Sequence, residues 1–231
     1  MYKRQLVDSA FVMVPWLVAQ GRSAGLKDVV AGTRRLIADH PINAWVADGA
    51  GEPLASVDPL RSLAARSDAS GDGDDFLLNL GALMSAAQML GLADAMLAQA
   101  VEYAKVRTQF GQPVGAFQGL KHQLANCSVA IEFAKPVVWR AAQAMEDGMA
   151  SAGTHVSHAK LAATDAATLT AETAIQVHGA MGYTYEVDLH FWMKRTWALC
   201  GAWGARAFHY NRVEQAVLSG IQPTGPQHTF A

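Results

Sequence analysis

Charge is scarce in this chain. Only 16% of the 231 residues are Asp, Glu, Lys or Arg, and the formal net charge is −2. So small an imbalance gives no strong pull toward nucleic acid or an anionic membrane. Cysteine is scarcer still: Cys127 and Cys200 are the only two. A lone pair is enough for one disulfide, but both fall in apolar helical patterns. Such sites favour buried free thiols in a reducing compartment, which sets a cytoplasmic location as the expectation. The sequence contains no CxxC, no HExxH, no GxxxxGK and no GxGxxG after a strand. Those absences remove the common zinc, metalloprotease, P-loop and Rossmann readings. No stretch reads as long enough to span a membrane. Lys3, Arg4 and the run Ala10–Ala19 faintly resemble a secretory signal, which Asp8 and Pro15 weaken in favour of a β-strand remnant.

What is present is apolar. Hydrophobic residues make up 51% of the chain, enough for a sizeable core in one large domain, or one domain plus a piece of another. Residues 1–70 read as irregular. Phe11–Val18 suits a strand broken by Pro15, Leu26–Asp39 is of unclear type, and Asn43–Val46 and Leu54–Val57 read as strands. The tract Ser67–Asp75, SDASGDGDD, reads as a linker whose acids suit a following helix N-terminus. It lacks the further oxygen ligands and closing glutamate of a calcium loop.

From Phe76 the pattern becomes helical. Phe76, Leu80, Leu83, Ala87, Leu90, Leu97 and Val101 form one stripe. Phe117, Leu120, Leu124, Cys127, Ile131, Ala134, Val138, Ala141 and Met145 form a second, with Pro136 inside it as an expected kink and Gly148 at its end. A third helix opens near Thr154 as N-cap and carries Val156, Ala159, Ala163, Ala166, Thr173 and Val177; Gly179 and Gly182 stop it. A fourth carries Leu189, Trp192, Thr196, Leu199, Trp203, Tyr210, Val213 and Val217. The expected fold is mainly α: an antiparallel four-helix bundle over residues 71–220. A short, partly β segment (1–70) precedes it, and a flexible tail (221–231) follows. These stripes are first of all core.

Two connections carry chemistry. Arg107–Gln118, RTQFGQPVGAFQ, sets a guanidinium, amides, two aromatic rings and two glycines in one turn. Arginine grips a diphosphate through parallel charge-assisted bonds, and glycine lets backbone approach a ligand closely. An ordinary helix–helix loop with a solvated arginine is the bland alternative. Gln176–Tyr185, QVHGAMGYTY, repeats that chemistry at the end of the third helix, and is by itself a helix stop. In an antiparallel bundle the first and third helices end at the same pole, so both loops can face one ligand. His155 and His158 lie one turn apart without a third metal ligand, so no metal is expected.

Together the two loops resemble the C-terminal domain of the acyl-CoA dehydrogenases, over about Phe76 to Leu218. The resemblance implies a bundle whose loops close on FAD at a subunit interface, and α,β-dehydrogenation of an acyl-CoA substrate. Carried over by motif, Arg107, Gln109 and Phe110 would meet the FAD diphosphate and adenosine, with Val114, Phe117 and Gln118 lining the same site. Gln176, Val177, Gly179 and Ala180 would form the second wall, Ala180 standing where the family usually has a second glycine. The family's N-terminal helical domain has no counterpart here, and residues 1–70 read as a shortened or divergent middle β-domain. The family's glutamate base falls either near Trp203 or near Gly81, and neither place holds an acid. The catalytic residue is therefore unassigned. GYTYEVDLHFWMKR, followed by a helix lacking the family's glutamate near Trp203, is similar to bacterial members acting on bulky, steroid-type side chains. Those are α2β2 heteromers in which one subunit lacks the base. The expectation is an FAD-contacting subunit that works with another dehydrogenase-like chain, as a hetero- or homo-oligomer. The alternatives are a flavin monooxygenase of the same fold and a purely structural helical subunit.

Overall fold

The computed structural model describes residues 53–55, 57–59, 63–64 and 75–228. The expectations for Phe11–Val18, Leu26–Asp39, Asn43–Val46 and the signal-like start lie outside the described residues, as does the linker tract before Asp75. Strand β1 (Pro53–Leu54) pairs antiparallel with β2 (Leu63–Ala64), Leu54 opposite Leu63. Helix α1 (Asp75–Val106) follows, with Asp75 in its first turn and Lys105 in its last, the charges its dipole favours. A hairpin of β3 (Thr108–Gln109) and β4 (Gln112–Pro113) leads through a 3-10 turn, Val114–Ala116, into α2 (Gln118–Glu146). Then come α3 (Ala152–His178), a 3-10 turn Gly179–Tyr183, α4 (Leu189–Gly201) and α5 (Arg206–Leu218).

Helix α3 is the hub, packing on α1, α2, α4 and α5. Its sequence explains why. Ala159, Ala163, Ala166, Ala167, Ala171 and Ala174 are all buried, and small side chains let neighbouring helices come close from several sides. Lys160, also buried, donates from Nζ to the Leu199 carbonyl near the end of α4. That carbonyl also accepts from the Ala202 N–H, so the lysine adds a second donor at the helix end. The helix begins at Ala152 with Ser151 as its N-cap, three residues earlier than the expected Thr154 cap; the Ser151 carbonyl accepts from Thr154 and His155.

The second stripe reads true within the helix, where Cys127, Ile131, Ala134, Val138 and Ala141 are buried; Phe117 is its exposed N-cap, and α2 runs on through the exposed Pro136. Its end is a Schellman turn, Met149 N–H to the Ala144 carbonyl and Gly148 N–H to Met145. The first stripe needs correction. Ala87 is exposed, whereas Ala82, Ala86, Met89, Ala93, Met96 and Ala100 are fully buried. Helix α1 is apolar on nearly every face, so its periodicity does not single out a core side. For the same reason Leu78–Val106 is long and apolar enough to cross a membrane by length and composition, contrary to the sequence reading. More than half of that window, 56%, is buried inside the bundle, so α1 serves as a core helix.

The expected fourth helix is two. It breaks at residues 202–205, where Trp203 (φ 58°) and Gly204 (φ 101°) take left-handed backbone. The predicted stripe holds up to Trp203 and fails beyond it: Tyr210 and Val217 are exposed, and His209 is the buried residue of α5. After α5, Gln222 N–H donates to the Ala216 carbonyl and Pro226–His228 forms a 3-10 turn, so this part of the expected flexible tail folds back.

Candidate functional site: an arginine-and-amide pole and a plugged pocket

The loops after α1 and α3 meet at one pole. Tyr103, in the last turn of α1, stacks on His178, the last residue of α3, with ring centroids 4.3 Å apart and planes at 23°. The Tyr103 hydroxyl lies 3.7 Å from Met181 Sδ in the loop that follows. His178 Nδ1 donates to the Ala174 carbonyl at 2.8 Å, which fixes the ring. Arg107 and Gln176 thus sit at the same end of the bundle. Neither Tyr103 nor His178 was singled out by sequence reasoning, although Tyr103 lies one turn before Arg107 and His178 stands inside QVHGAMGYTY.

The hairpin between β3 and β4 has a two-residue turn, Phe110-Gly111, with φ of 54° and 80°. That is the all-positive φ pattern of a type I′ turn, which glycine adopts freely and phenylalanine only against strain. Phe110 is nevertheless 90% exposed, so no core contact compels the conformation. Its ring meets Phe117 edge-on at 6.2 Å. Arg107, Gln109, Gln118, Gln176, Gly179 and Ala180 are exposed, and Val114 is half-buried. Val177 differs: it is buried in the core, so its side chain does not face the pole. Gly179, at φ 60°, has nothing within 4 Å of where a Cβ would stand, so the second loop is open to a ligand on that side.

The acid-free positions Trp203 and Gly81 turn out to be one place. Trp203 is 5% exposed, and its indole lies flat against the α1 backbone at Gly81. A Cβ on Gly81 would stand 2.1 Å from Trp203 Cδ2. No side chain of any kind fits at residue 81 while this ring is present. The turn holding the tryptophan is fixed by His209. Its Nε2 donates to the Trp203 carbonyl at 2.9 Å, and its Nδ1 accepts from Ser157 Oγ of α3 at 3.1 Å. Burial pushes the His209 pKa down to about 4, against the carbonyl bond, which favours the protonated ring. Gly204 is needed beside it, since a Cβ there would stand 2.6 Å from His209 Nε2.

A hollow of about 420 Å³ opens at the opposite pole, between the start of α1, the α2–α3 turn and α5. Arg212 donates there to Asn79 Oδ1 at 2.6 Å, tying α5 to α1. Among the described residues no group of three metal-ligating side chains occurs; His155 is half-buried, 3.5 Å from an Arg140 nitrogen.

The family model "Acyl-CoA dehydrogenase, C-terminal domain" matches residues 75–218. The chain belongs to the acyl-CoA dehydrogenase family. The match confirms the helical domain read from the two loops, in a family of oxidoreductases. It is 35% identical over 189 residues to acyl-CoA dehydrogenase IpdE2 of Mycobacterium tuberculosis, covering 80% of this chain and 55% of the relative. It is 40% identical over 110 residues to the mitochondrial short-chain specific acyl-CoA dehydrogenase of Mus musculus, covering 48% of this chain and 26% of that protein. Among solved structures, the Tcur3481-Tcur3483 steroid ACAD superposes with a TM-score of 0.68 at 26% identity, over 74% of this chain and 49% of that one. Butyryl-CoA dehydrogenase from Megasphaera elsdenii superposes with a TM-score of 0.63 at 27% identity, over 73% and 48%. The chain thus spans about half the length, or less, of the relatives it matches.

Proposed function

We propose that this chain is the base-free subunit of an FAD-dependent acyl-CoA dehydrogenase assembly, closing its arginine-and-amide pole over an FAD held largely by another chain. The observation that carries the reading is the Trp203 indole on Gly81. It fills the point where both of the family's alternative positions for a glutamate base converge, and it leaves no room for one. The pole itself suits the cofactor. An exposed guanidinium at Arg107, amides at Gln109, Gln118 and Gln176, the rings of Phe110 and Phe117, and an open backbone at Gly179 and Ala180 match an anionic diphosphate bearing an aromatic heterocycle. Val114 supplies an apolar edge, and Val177 contributes by holding the helix end in the core. FAD, when bound, supplies the hydride acceptor for α,β-dehydrogenation of an acyl thioester. This chain's residues bind and orient it, while the α-proton is taken by a carboxylate of the partner. Likeness to a steroid ACAD favours a bulky acyl-CoA substrate.

The test is expression of the full chain alone and together with a longer dehydrogenase-like chain that carries the glutamate. Alone, it should hold little FAD and oxidise no acyl-CoA with an artificial electron acceptor. The co-expressed complex should show flavin absorbance and activity. Robust acyl-CoA oxidation by the lone chain would sink the proposal.

A further inference from the structure

Each of the two loops at the arginine-and-amide pole is pinned to its own helix. In the first, the Arg107 N–H donates to the Tyr103 carbonyl at 2.9 Å, and the Arg107 carbonyl accepts from Val114 at 2.8 Å. Gly115 brings that loop back onto α1, since a Cβ there would stand 2.9 Å from the Ala104 carbonyl oxygen. In the second, the Gly179 N–H donates to the Gln176 and Ile175 carbonyls. Gly182 lies on the end of α3, where a Cβ would stand 3.1 Å from the Ile175 carbonyl oxygen and 3.3 Å from His178 Cβ. Neither loop shifts far without its helix. The gap between the loops is therefore set by how the two helix ends are joined.

One side chain makes that joint. The ring of the half-buried Tyr103 stacks on His178, its hydroxyl lies 3.7 Å from Met181 Sδ in the second loop, and its carbonyl holds Arg107 in the first. His178 is a fixed platform, buried and tied by Nδ1 to the Ala174 carbonyl at 2.8 Å. Two flat rings 4.3 Å apart resist both approach and separation of the helix ends that carry them. The spacing matters because a bidentate arginine contact is demanding in distance and angle.

We infer that Tyr103 is a positioning residue: its stack on His178 sets the distance between Arg107 and the Gly179-Ala180 wall, and so the width of the cofactor slot. This rests on the FAD reading of the pole. Tyr103 itself touches no cofactor; it spaces the groups that do.

Two measurements test this, and they fail separately. The first needs no flavin. In the full chain alone, with Cys127 and Cys200 replaced by alanine, spin labels at Gln109→Cys and Ala180→Cys report the gap by electron–electron double resonance. The distance distribution should stay narrow in Tyr103→Phe, which keeps the ring, and become about twice as wide or more in Tyr103→Leu. The second is the FAD dissociation constant of the co-expressed complex, read from flavin fluorescence. Tyr103→Leu should raise it about tenfold and Tyr103→Phe at most about threefold. Arg107→Ala should raise it about tenfold with Tyr103 in place but at most about threefold in Tyr103→Leu, where the arginine is already displaced. Ile131→Val loosens the core at α2, so it should lower the unfolding midpoint and leave FAD affinity unchanged, which separates positioning from general destabilisation. An unchanged gap in Tyr103→Leu, or losses from Tyr103→Leu and Arg107→Ala that simply multiply, would overturn the inference. If the gap widens while Arg107→Ala leaves FAD affinity untouched, the FAD assignment falls and the spacing role of Tyr103 stands.

Discussion

Trp203 and Gly81 make one structural unit out of residues far apart in sequence. The ring lies where a Cβ at residue 81 would have to stand, so Gly81→Ala should cost about 1–3 kcal/mol by overpacking. Trp203→Ala should cost about 3–5 kcal/mol through the cavity it leaves. The double variant should be no less stable than Trp203→Ala alone, because the added methyl then has room. Urea unfolding of the four proteins measures this coupling; additive losses would show that the ring does not rest on Gly81. Phe110 poses the opposite case, a strained backbone with no packing to compel it. Strain of this kind collects where a chain meets a ligand. The sequence flagged each of these residues, yet not their contact, since nothing in a glycine and a tryptophan more than a hundred positions apart announces that they touch.

The break between α4 and α5 shows what periodicity cannot see at the scale of an element. Apolar residues continue past Trp203 at plausible spacing, so the pattern reads as one helix. His209 decides otherwise: bonded to Ser157 and to the Trp203 carbonyl, it holds a turn that glycine at 204 permits. Its depressed pKa has a signed consequence. As pH falls below about 6.5, the unfolded chain takes up a proton that the folded ring refuses until about pH 4. Stability should therefore fall through that window, by about 3 kcal/mol in all, and level off below it. Denaturation midpoints between pH 7 and 4 should show that slope, and His209→Gln should flatten it. Helix α2, by contrast, was legible from the sequence, because its buried residues recur at steps of three and four from Cys127 to Ala141.

Across the whole molecule, a buried ion pair joins the segment before α1 to the bundle. Asp58, fully buried, lies 3.1 Å from Arg195 Nε on α4. Asp58→Ala would strand the arginine's charge in the interior and should cost about 3–5 kcal/mol. Asp58→Leu with Arg195→Met should recover most of it; thermal unfolding of the two variants checks both. The cofactor reading has its own test at this scale. In the co-expressed complex, Arg107→Ala should lower the FAD content at least about tenfold while leaving the unfolding midpoint of this chain nearly unchanged, since the side chain is exposed.

From the sequence alone came the family, the helical class, the pole where two loops converge and the lack of an acid where the family keeps its base. Local signals suffice for these: glycines and amides at helix ends, apolar spacing along α2 and α3, and residue identity at two positions. Tertiary structure alone decided that the two acid-free positions coincide, that Val177 turns inward and that α1 buries most of its circumference. It also decided where the last helix breaks. The physical reason is common to all of them: each depends on which side chain from a distant helix occupies a given volume, and excluded volume is a property of the packed assembly that no stretch of chain carries by itself.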